Sequence, residues 1–344
     1  MLYTSIKLLG AIKKAGIKFD PLFLRLFFPR VITFDTKEIM LDKVPSDTPI
    51  AAYCSPKIKG EISEADGYTT NTFIPPYTKP KHEVELDRLL TRLPGESPIN
   101  GGNTPESRRN SVIMDNLNKE EEAIVQLEEF QAVQAVLYGK ITAASAKHPE
   151  VVISMGRSES NNITLTGSAT WSSLDKATYD PDDDIETWAL NADGAINIVI
   201  MDRLAWSLYK SFDAVKERLN QRRGSNTSLE TGLKDLGMSV SYKGESGSGV
   251  HILVSESEYL KADKTTGKFL PSNTVVLGHT SIEGLRLYGL IQNSQAVKEG
   301  LSVATRYPRN WQEKGDPVAE YTQTESAPAM FLPKPNQFVV VTVD

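Results

Sequence analysis

The sequence predicts an α+β fold of about two compact units, preceded by an N-terminal region that cannot hold a core of its own. The chain has 344 residues, of which 40% are hydrophobic, so it contains enough apolar mass for a real core. One stretch before residue 140 has apolar residues at helical spacing, and the residues after about 150 alternate between strand and helix patterns. These features predict a helical unit followed by a mixed unit.

The first thirty residues are basic, whereas the rest of the chain is acidic. Six lysines and arginines against Asp20 give this segment a charge of +5, which leaves −11 for the remainder of a chain whose net charge is −6. An acidic chain is not a general polyelectrolyte binder of nucleic acid. The basic segment is therefore either an arm that attracts an acidic surface of a sister subunit or partner, or a solvated amphipathic segment.

Two N-terminal features need support from another surface. The most apolar stretch, at 19–29, is too short for a membrane span and carries an arginine and two prolines, so we expect an extended segment that packs on something else. Further on, residues 53–63 alternate like a strand, an Asp-Gly turn signal follows, and the proline-rich stretch 70–86 runs back. A hairpin this polar is not stable alone.

A long helix is predicted next. Thr104 and Pro105 form an N-cap followed by proline in the first turn, and Gly139 is a natural stop. Apolar residues recur between them at helical spacing. If unbroken, the helix is about 50 Å long, and Asn116 and Asn118 leave open a division into two. Mostly opposite this apolar stripe lie the charged residues Lys119, Glu120, Glu121, Glu128 and Glu129.

The second half of the chain predicts the mixed unit. A buried strand at 196–201 is followed by Asp202, which is an N-cap, and by one helix that runs to Gly224. The apolar face of that helix consists of Leu204, Leu208, Val215 and Leu219. A shorter helix is predicted at 229–236. Further strands are expected at 250–254, 274–277, 285–291 and 337–343.

The signatures of catalytic and metal sites are incomplete in this sequence. Cys54 is the only cysteine, and the four histidines stand in no ligand spacing. The GxxxxG frame at 232–237 lacks the lysine of a phosphate loop, and GESGSG at 244–249 joins two predicted strands, as a hairpin loop does and a nucleophile elbow does not. The acidic run at 180–186 indicates a helix start rather than a calcium loop, since Ile185 stands where that loop needs glycine.

The first hundred residues decide between three classes of protein. A self-assembling subunit accounts for an arm and a hairpin that only a neighbour can hold in place. An α/β hydrolase-like enzyme with a dispersed active site is the alternative, and a monomeric binding module is third, but both leave these residues without a role. We therefore expect no catalytic, cofactor-binding or metal-binding residue.

Eight blocks of sequence match a known family in the same order. They are KFDPLFLRLFF at 18–28, KPKHEV at 79–84, MGRSESNNIT at 155–164, YDPDDDIE at 179–186, RRGSN at 222–226, SYKG at 241–244, RYPRNW at 306–311 and SAP at 326–328. Eight ordered blocks are far more specific than any single motif. The sequence thereby resembles the major capsid proteins of lambda-type tailed bacteriophages, the phage major capsid protein E family.

The resemblance implies the Hong Kong 97 capsid fold and a division of the chain. The implied parts are an N-arm at 1–50, an E-loop hairpin at 51–92, a peripheral domain with a long spine helix at 93–150, an axial domain at 151–320, whose start can include peripheral strands, and a return to the peripheral domain at 321–344. Such proteins assemble as hexamers and pentamers into the icosahedral head that encloses double-stranded DNA. The implied location is the virion, after assembly in the host bacterial cytoplasm.

The resemblance also implies partners. They are other copies of the chain, a portal, a decoration protein and packaged double-stranded DNA bound without sequence specificity, with no membrane. Because the arm begins almost at Met1, a separate scaffolding protein is implied instead of a built-in scaffold. Some relatives of this fold link a hairpin lysine covalently to a neighbour's asparagine, a role in which Lys57 or Lys59 can be imagined. Lambda-type relatives use a decoration protein instead, so we expect no cross-link.

Contacts between subunits are expected in the arm, in the hairpin and at paired arginines. The arm contributes Phe19, Leu22, Phe23, Leu24, Phe27 and Phe28. The hairpin contributes Lys57, Lys59, Glu61, Lys79, Lys81 and Glu83. The arginine pairs are Arg108 with Arg109 and Arg222 with Arg223. Such a pair usually forms salt bridges at a contact, and phosphate contact inside a shell is the second interpretation.

Overall fold

The computed structural model describes residues 2–15, 19–43, 69–91, 104–145, 148–221, 239–261, 263–315 and 318–344. Its helices are α1 (Ser5–Ala15), α2 (Leu22–Phe27), α3 (Leu86–Leu90), α4 (Pro105–Tyr138), α5 (Pro181–Ala189), α6 (Arg203–Tyr209), α7 (Asp213–Gln221) and α8 (Ser294–Lys298). Its strands are β1 (Arg30–Thr33), β2 (Ile39–Lys43), β3 (Thr69–Phe73), β4 (Lys81–Glu83), β5 (Lys140–Ser145), β6 (His148–Ser154), β7 (Asn162–Thr164), β8 (Ile198–Met201), β9 (Val240–Glu245), β10 (His251–Ser255), β11 (Glu258–Leu260), β12 (Thr266–Lys268), β13 (Thr274–Gly278), β14 (Leu285–Tyr288), β15 (Tyr307–Glu313), β16 (Ala319–Glu325), β17 (Pro328–Phe331) and β18 (Val339–Thr342). The predicted α+β class is confirmed.

Most of the predicted buried strands join one six-stranded sheet, in the order β7-β18-β13-β8-β10-β9. Alternate side chains separate its two faces: Ile198 and Ile200 point into one apolar core, whereas Val199 and Met201 point into another. Because both faces are covered, β8 and β13 are buried at every residue. A continuous apolar run is what such a strand requires. The strands predicted at 196–201, 250–254, 274–277 and 337–343 are therefore confirmed, with ends shifted by one or two residues.

Two three-stranded sheets connect the N-terminal region to the last third of the chain. In the order β1-β14-β17, Arg30 lies opposite Leu285 in a parallel pair. In the order β15-β16-β4, Lys81 lies opposite Gln323 in an antiparallel pair, with β4 at the edge as its proline-rich flank requires. β2, which lies in the segment predicted as the N-arm, pairs with β3 at the start of the predicted return stretch 70–86. The hairpin strand predicted at 53–63 lies outside the described residues.

The last strand was expected to leave the mixed unit. β16 does pair with the N-terminal strand β4, but β18 lies between β13 and β7 in the six-stranded sheet, with Val340 opposite Val276. The prediction is therefore wrong for residues 339–342. The physical reason is that three consecutive valines need a strand position that is covered on both faces.

The apolar segment at 19–29 is not extended as predicted, because its middle forms helix α2. The ring of Phe27 packs edge-on against Phe338, with centroids 4.8 Å apart. A helix that is apolar on nearly every side has to be surrounded by other elements. The segment therefore completes the chain's own core instead of packing on another surface. Its buried side chains, each at most 1% exposed, are Leu22, Phe23, Leu24, Phe27 and Phe28.

Helix α4 is unbroken over 34 residues. At its start, the Thr104 hydroxyl accepts a hydrogen bond from the amide three residues on, at 3.2 Å. At its end, Gly139 adopts φ +61°, the left-handed conformation in which many helices stop. The division considered at Asn116 and Asn118 does not occur, since the Asn116 side chain donates to the Glu83 carbonyl at 3.1 Å and leaves the helix backbone undisturbed.

The single helix predicted after Asp202 is in fact two, α6 and α7. Asp202 does cap the first, because its Oδ1 accepts from the amide three residues on at 3.0 Å. The turn between the helices brings Phe212 against Trp171, with centroids 6.3 Å apart, and leaves Leu204 46% exposed. The packing of Phe212 in this core accompanies a turn that interrupts the predicted helix, and no local sequence pattern predicts that contact. The short helix predicted at 229–236 lies outside the described residues.

Two loop predictions are confirmed. β9 and β10 form an antiparallel hairpin around GESGSG, so the helix that a nucleophile elbow needs does not follow. The acidic run starts α5, where Asp180 is the N-cap and accepts from the Asp182 amide at 3.1 Å. Within the ranges given above, no helix combines the length and the apolar character that crossing a membrane demands.

Replacing Gly139 with alanine should lower the free energy of unfolding by about 2 to 4 kcal/mol. A Cβ at this left-handed position collides with the Arg157 side chain, which donates hydrogen bonds to the Val136 and Phe338 carbonyls and so links α4 to the start of β18. Urea unfolding followed by circular dichroism measures the change. Gly10→Ala is the matched control, because its Cβ meets nothing within 4 Å and alanine favours a helix. Equal effects of the two variants would contradict the prediction.

Candidate functional site, a buried ionic network beneath helix α4

Helix α4 presents four glutamates to the protein interior. Glu120, Glu121, Glu128 and Glu129 are between 0 and 8% exposed, so the prediction that they lie mostly opposite the buried stripe is wrong. Glu120 follows the buried Leu117 by three residues, and helical spacing therefore places it in the apolar stripe. That spacing is the signal by which the sequence could have revealed it. A carboxylate in such a position has to be compensated by donors from other elements.

Glu120 is held by β16 and by β4. Its two oxygens accept hydrogen bonds from the hydroxyls of Thr322 at 2.7 Å and Thr324 at 2.8 Å, which lie two residues apart and therefore on one face of β16. Nδ1 of His82 on β4 lies 3.3 Å from the same carboxylate. Burial raises the pKa of Glu120, and the hydrogen bonds oppose that rise. These bonds fix the position of β16 against the helix.

Glu121 and Glu128 share one guanidinium. Arg306, just before β15, places its Nε 2.9 to 3.0 Å from the two oxygens of Glu121 and an Nη 2.7 Å from Glu128. The Tyr288 hydroxyl donates a further hydrogen bond to Glu128 at 2.9 Å. Burial acts to lower the pKa of Arg306, but the charges of Glu128 and Glu121 outweigh it and raise the pKa. One cation thus serves two carboxylates, and the tyrosine assists.

Glu129 binds the first turn of α2. Its oxygens accept hydrogen bonds from the amides of Phe23 at 2.8 Å and Leu24 at 2.9 Å. Burial raises the pKa of Glu129 to about 7, against the opposing effect of these amides and of Arg286. At the other end of α2, Arg286 on β14 donates to the carbonyls of Leu24 at 2.9 Å and Phe28 at 2.6 Å. Charged groups from two elements therefore hold both ends of the helix.

Two glutamates on β16 extend the network. Glu325 accepts a hydrogen bond from the Tyr77 hydroxyl at 2.5 Å and pairs with Arg309 at 2.8 Å. Glu320 pairs with Arg109 of α4, whose Nε lies 2.8 Å away. Residues 77–83, β15, β16 and α4 are thus joined by directional bonds. Within this network the charged groups face one another or hydrogen-bond donors, an arrangement that holds these elements together.

The structure places several predicted contact residues within the chain itself. Besides the buried apolar side chains of α2, Phe19 is half-buried against Phe269, with ring centroids 5.6 Å apart. Lys81 lies over the Tyr321 ring, 3.5 Å from its centroid, and Arg109 pairs with Glu320 as described. Phe19 and Lys81 thus attach the N-terminal third of the chain to its last third, and Arg109 joins α4 to β16.

The remaining predicted contact residues are not brought together in one cluster. Lys79 and Glu83 have exposed side chains, and Arg108 is half-buried. Their contact with a neighbouring subunit stays a prediction. Those that lie outside the described residues are Lys57, Lys59, Glu61, Arg222 and Arg223. Among the residues that are described, no group of three or more His, Cys, Asp or Glu side chains is arranged to hold a metal ion.

Arg306→Met should lower the free energy of unfolding by about 3 to 5 kcal/mol, because it leaves Glu121 and Glu128 buried without their cation. Combining it with Glu121→Gln and Glu128→Gln should restore most of the loss, since the stranded charges are then removed. Urea unfolding at neutral pH measures both effects. Arg203→Met is the matched control, because its ion pair with Glu256 is largely exposed and contributes about 0 to 1 kcal/mol. A loss no larger than that of the control would contradict the role of Arg306.

The similarity to known sequences extends over nearly the whole chain. The model of the phage major capsid protein E family matches residues 5–343. The major capsid protein of Escherichia phage lambda is 49% identical over 340 residues, which are 99% of this chain and 98% of that protein. The major capsid protein of Enterobacteria phage P21 is 46% identical over 342 residues, 99% of each.

Comparison with solved structures agrees. The crystal structure of a capsid protein of a prophage in E. coli CFT073 superposes over 100% of both chains, with a TM-score of 0.83 at 34% identity. A phage-related protein from Bordetella bronchiseptica RB50, at 13% identity and a TM-score of 0.51, shares the fold alone. The predicted Hong Kong 97 capsid fold is confirmed. The chain therefore belongs to the phage major capsid protein E family.

Proposed function

We propose that this major capsid protein assembles with copies of itself, as hexamers and pentamers, into the icosahedral head that encloses the double-stranded DNA of a tailed phage. The observation that carries the proposal is the match to the lambda major capsid protein along 99% of this chain and 98% of that protein. A match of that extent leaves no sizeable part of either chain outside the similarity. The place of the chain is in the virion, after assembly in the host bacterial cytoplasm.

The chain acts as a structural protein without catalytic activity. The relatives named above are capsid proteins, and the α/β hydrolase-like alternative has no support. The charges under α4 fit a structural role, because Arg306, Glu121 and Glu128 are committed to one another inside the fold. A general acid or base has to reach its substrate.

The parts of the chain keep the division that the family implies. Residues 1–50 form the N-arm, 51–92 the E-loop hairpin and 93–150 the peripheral domain, with α4 as its spine. Residues 151–320 form the axial domain. The pairing of β18 with β13 supports assigning residues 339–342 to that axial part as well.

The partners follow from the same role. They are other copies of the chain, a separate scaffolding protein, a portal, a decoration protein and packaged double-stranded DNA, without sequence specificity and without a membrane. Because the chain carries a net charge of −6, contact with DNA rests on local basic residues and not on the overall charge.

Assembly with the scaffolding protein should yield closed shells by electron microscopy and a shell peak by sedimentation. Lys79→Glu should lower the yield of shells at least severalfold, because it reverses the charge of an exposed side chain proposed to meet a neighbour. Its effect on the free energy of unfolding should stay within about 0.5 kcal/mol.

Lys298→Glu is the matched control, since it reverses another exposed lysine, outside the predicted contacts. Persistent monomers of the unaltered chain would contradict the proposed function. Normal shell yield from Lys79→Glu would contradict only the contact assigned to this lysine.

Mature particles that have been boiled and denatured should run as one monomer band, because no lysine of the hairpin forms a covalent bond with a neighbour. The Lys57→Arg/Lys59→Arg variant should show the same band and the same particle yield. A ladder of covalent oligomers that disappears in the double variant would overturn this prediction.

A further inference from the structure

Helices α1 and α3 lie on either side of the N-terminal half of α4. Just before α1, the Tyr3 hydroxyl donates a hydrogen bond to the Asn110 side chain at 2.7 Å. Arg88 of α3 donates one to the Asp115 carboxylate at 3.0 Å. Since Asn110 and Asp115 are five residues apart, they lie about 140° apart around the axis of α4. The two short helices of one chain are therefore held on opposite flanks of α4.

Each of these helices is buried on one side only. Leu8 of α1 is 3% exposed in an apolar cluster with residues of α4, and Leu89 of α3 packs against the same cluster. On the outer sides, Ile6 of α1 is 69% exposed, and Leu86 and Leu90 of α3 are each 64% exposed. Leu86 and Leu90 are four residues apart and therefore share one face of α3. Large apolar side chains grouped in water are typical of a surface that another molecule covers.

The two outer sides carry opposite charge. The α1 surface consists of three exposed residues, Ile6, Lys7 and Lys13, and α1 contains no acidic residue. The α3 surface consists of four exposed residues, Glu85, Leu86, Asp87 and Leu90. Among the described residues, none of the four charged side chains of these surfaces has an ion-pair partner. A basic apolar surface and an acidic apolar surface are complementary.

The two surfaces do not meet within one chain. Helix α4 separates them, and the exposure of Ile6 and Leu90 shows that neither surface covers the other. A second copy of the chain, however, offers each surface its complement. We infer that the α1 surface of one copy docks on the α3 surface of the next copy. Ile6 is then buried against the two leucines of α3, and the two lysines lie beside the two carboxylates.

This contact is of the head-to-tail kind. Each copy carries one α1 surface and one α3 surface, so the same contact repeats from copy to copy and can close into a ring. The inference rests on the proposed function, because it names one contact through which copies form hexamers and pentamers. It gives the arm a contact different from the one predicted at 22–28, since the apolar side chains there are buried in the chain's own core.

Cross-linking in mixed shells tests the contact. Two chains are prepared, one with Ile6→Cys and one with Leu90→Cys, and both also carry Cys54→Ser, so that each has a single thiol. Shells assembled from the mixture are treated with a short bismaleimide, and the linked peptides are identified by mass spectrometry. A link between residues 6 and 90 then joins two different chains, and we expect it to be the major product.

Leu190→Cys in place of Leu90→Cys is the matched control, because Leu190 is an 86% exposed leucine outside both surfaces. Its links to residue 6 should be rare. Equal linking of residues 90 and 190, or linkage of residue 6 to the scaffolding protein instead, would overturn the inference. In a chain that carries both Ile6→Cys and Leu90→Cys, the contact should give a ladder of linked oligomers, and linked dimers alone would contradict the head-to-tail arrangement.

Charge reversal tests the pairing independently. Lys7→Glu/Lys13→Glu and Glu85→Lys/Asp87→Lys should each lower the yield of shells severalfold, because each variant places like charges opposite one another. The variant with all four changes restores opposite charges and should recover most of the yield. The control variant Lys298→Glu/Lys334→Glu reverses two exposed lysines outside both surfaces and should leave the yield unchanged.

The outcomes separate this contact from the proposed function. Persistent monomers of the unaltered chain would contradict both. Normal shells from the unaltered chain, with no recovery of yield in the variant with four changes, would overturn the contact alone. Urea unfolding of each variant checks the fold, which should be unaffected because the four side chains that are changed are exposed.

Discussion

Burying a carboxylate costs free energy of folding unless hydrogen-bond donors or cations replace its hydration. Helix α4 buries four glutamates in this way. The compensating groups come from parts of the chain far apart in sequence. They are the amides of residues 23 and 24, His82, Arg306 and two threonines of β16. An apolar contact tolerates sliding, whereas a carboxylate held by two donors does not. Each glutamate therefore determines where a distant segment lies.

This constraint explains how short N-terminal elements are ordered. β1 and β4 have four and three residues, and strands of that length are unstable unless they join a larger structure. β1 pairs with β14, next to Arg286, and β4 pairs with β16, next to the threonines that bind Glu120. Sheet pairing and ionic contacts thus reinforce each other at both places.

Local sequence patterns correctly predicted the helices and strands that are determined by their own residues. Thr104 and Gly139 bound α4 because caps act on the ends of their own helix, and apolar runs predicted β8 and β13 because both faces of those strands are covered. The family, too, could be recognised, because eight ordered blocks are specific.

Elements that depend on contacts with residues distant in sequence were predicted wrongly. α2 is helical because Glu129 and Arg286 supply the partners that it lacks, and neither is near it in sequence. The ionic network was missed for the same reason, since Glu121 and Arg306 are 185 residues apart. A glutamate within the apolar stripe of a helix can be recognised in a sequence. The cation that neutralises it can be identified only from the fold.

The two faces of the six-stranded sheet differ in what completes them. The core around Trp171 and Phe212 is built from residues after 162, so it closes without the N-terminal region. The opposite core takes α2 from the N-terminal region and combines it with α4 and with β14. Because α2 is bound through Glu129 of α4 and Arg286 of β14, any force on the N-terminal segment reaches both elements at once. The attachment of the arm is therefore coupled to the packing of helix against sheet on one face, while the other face remains independent of it.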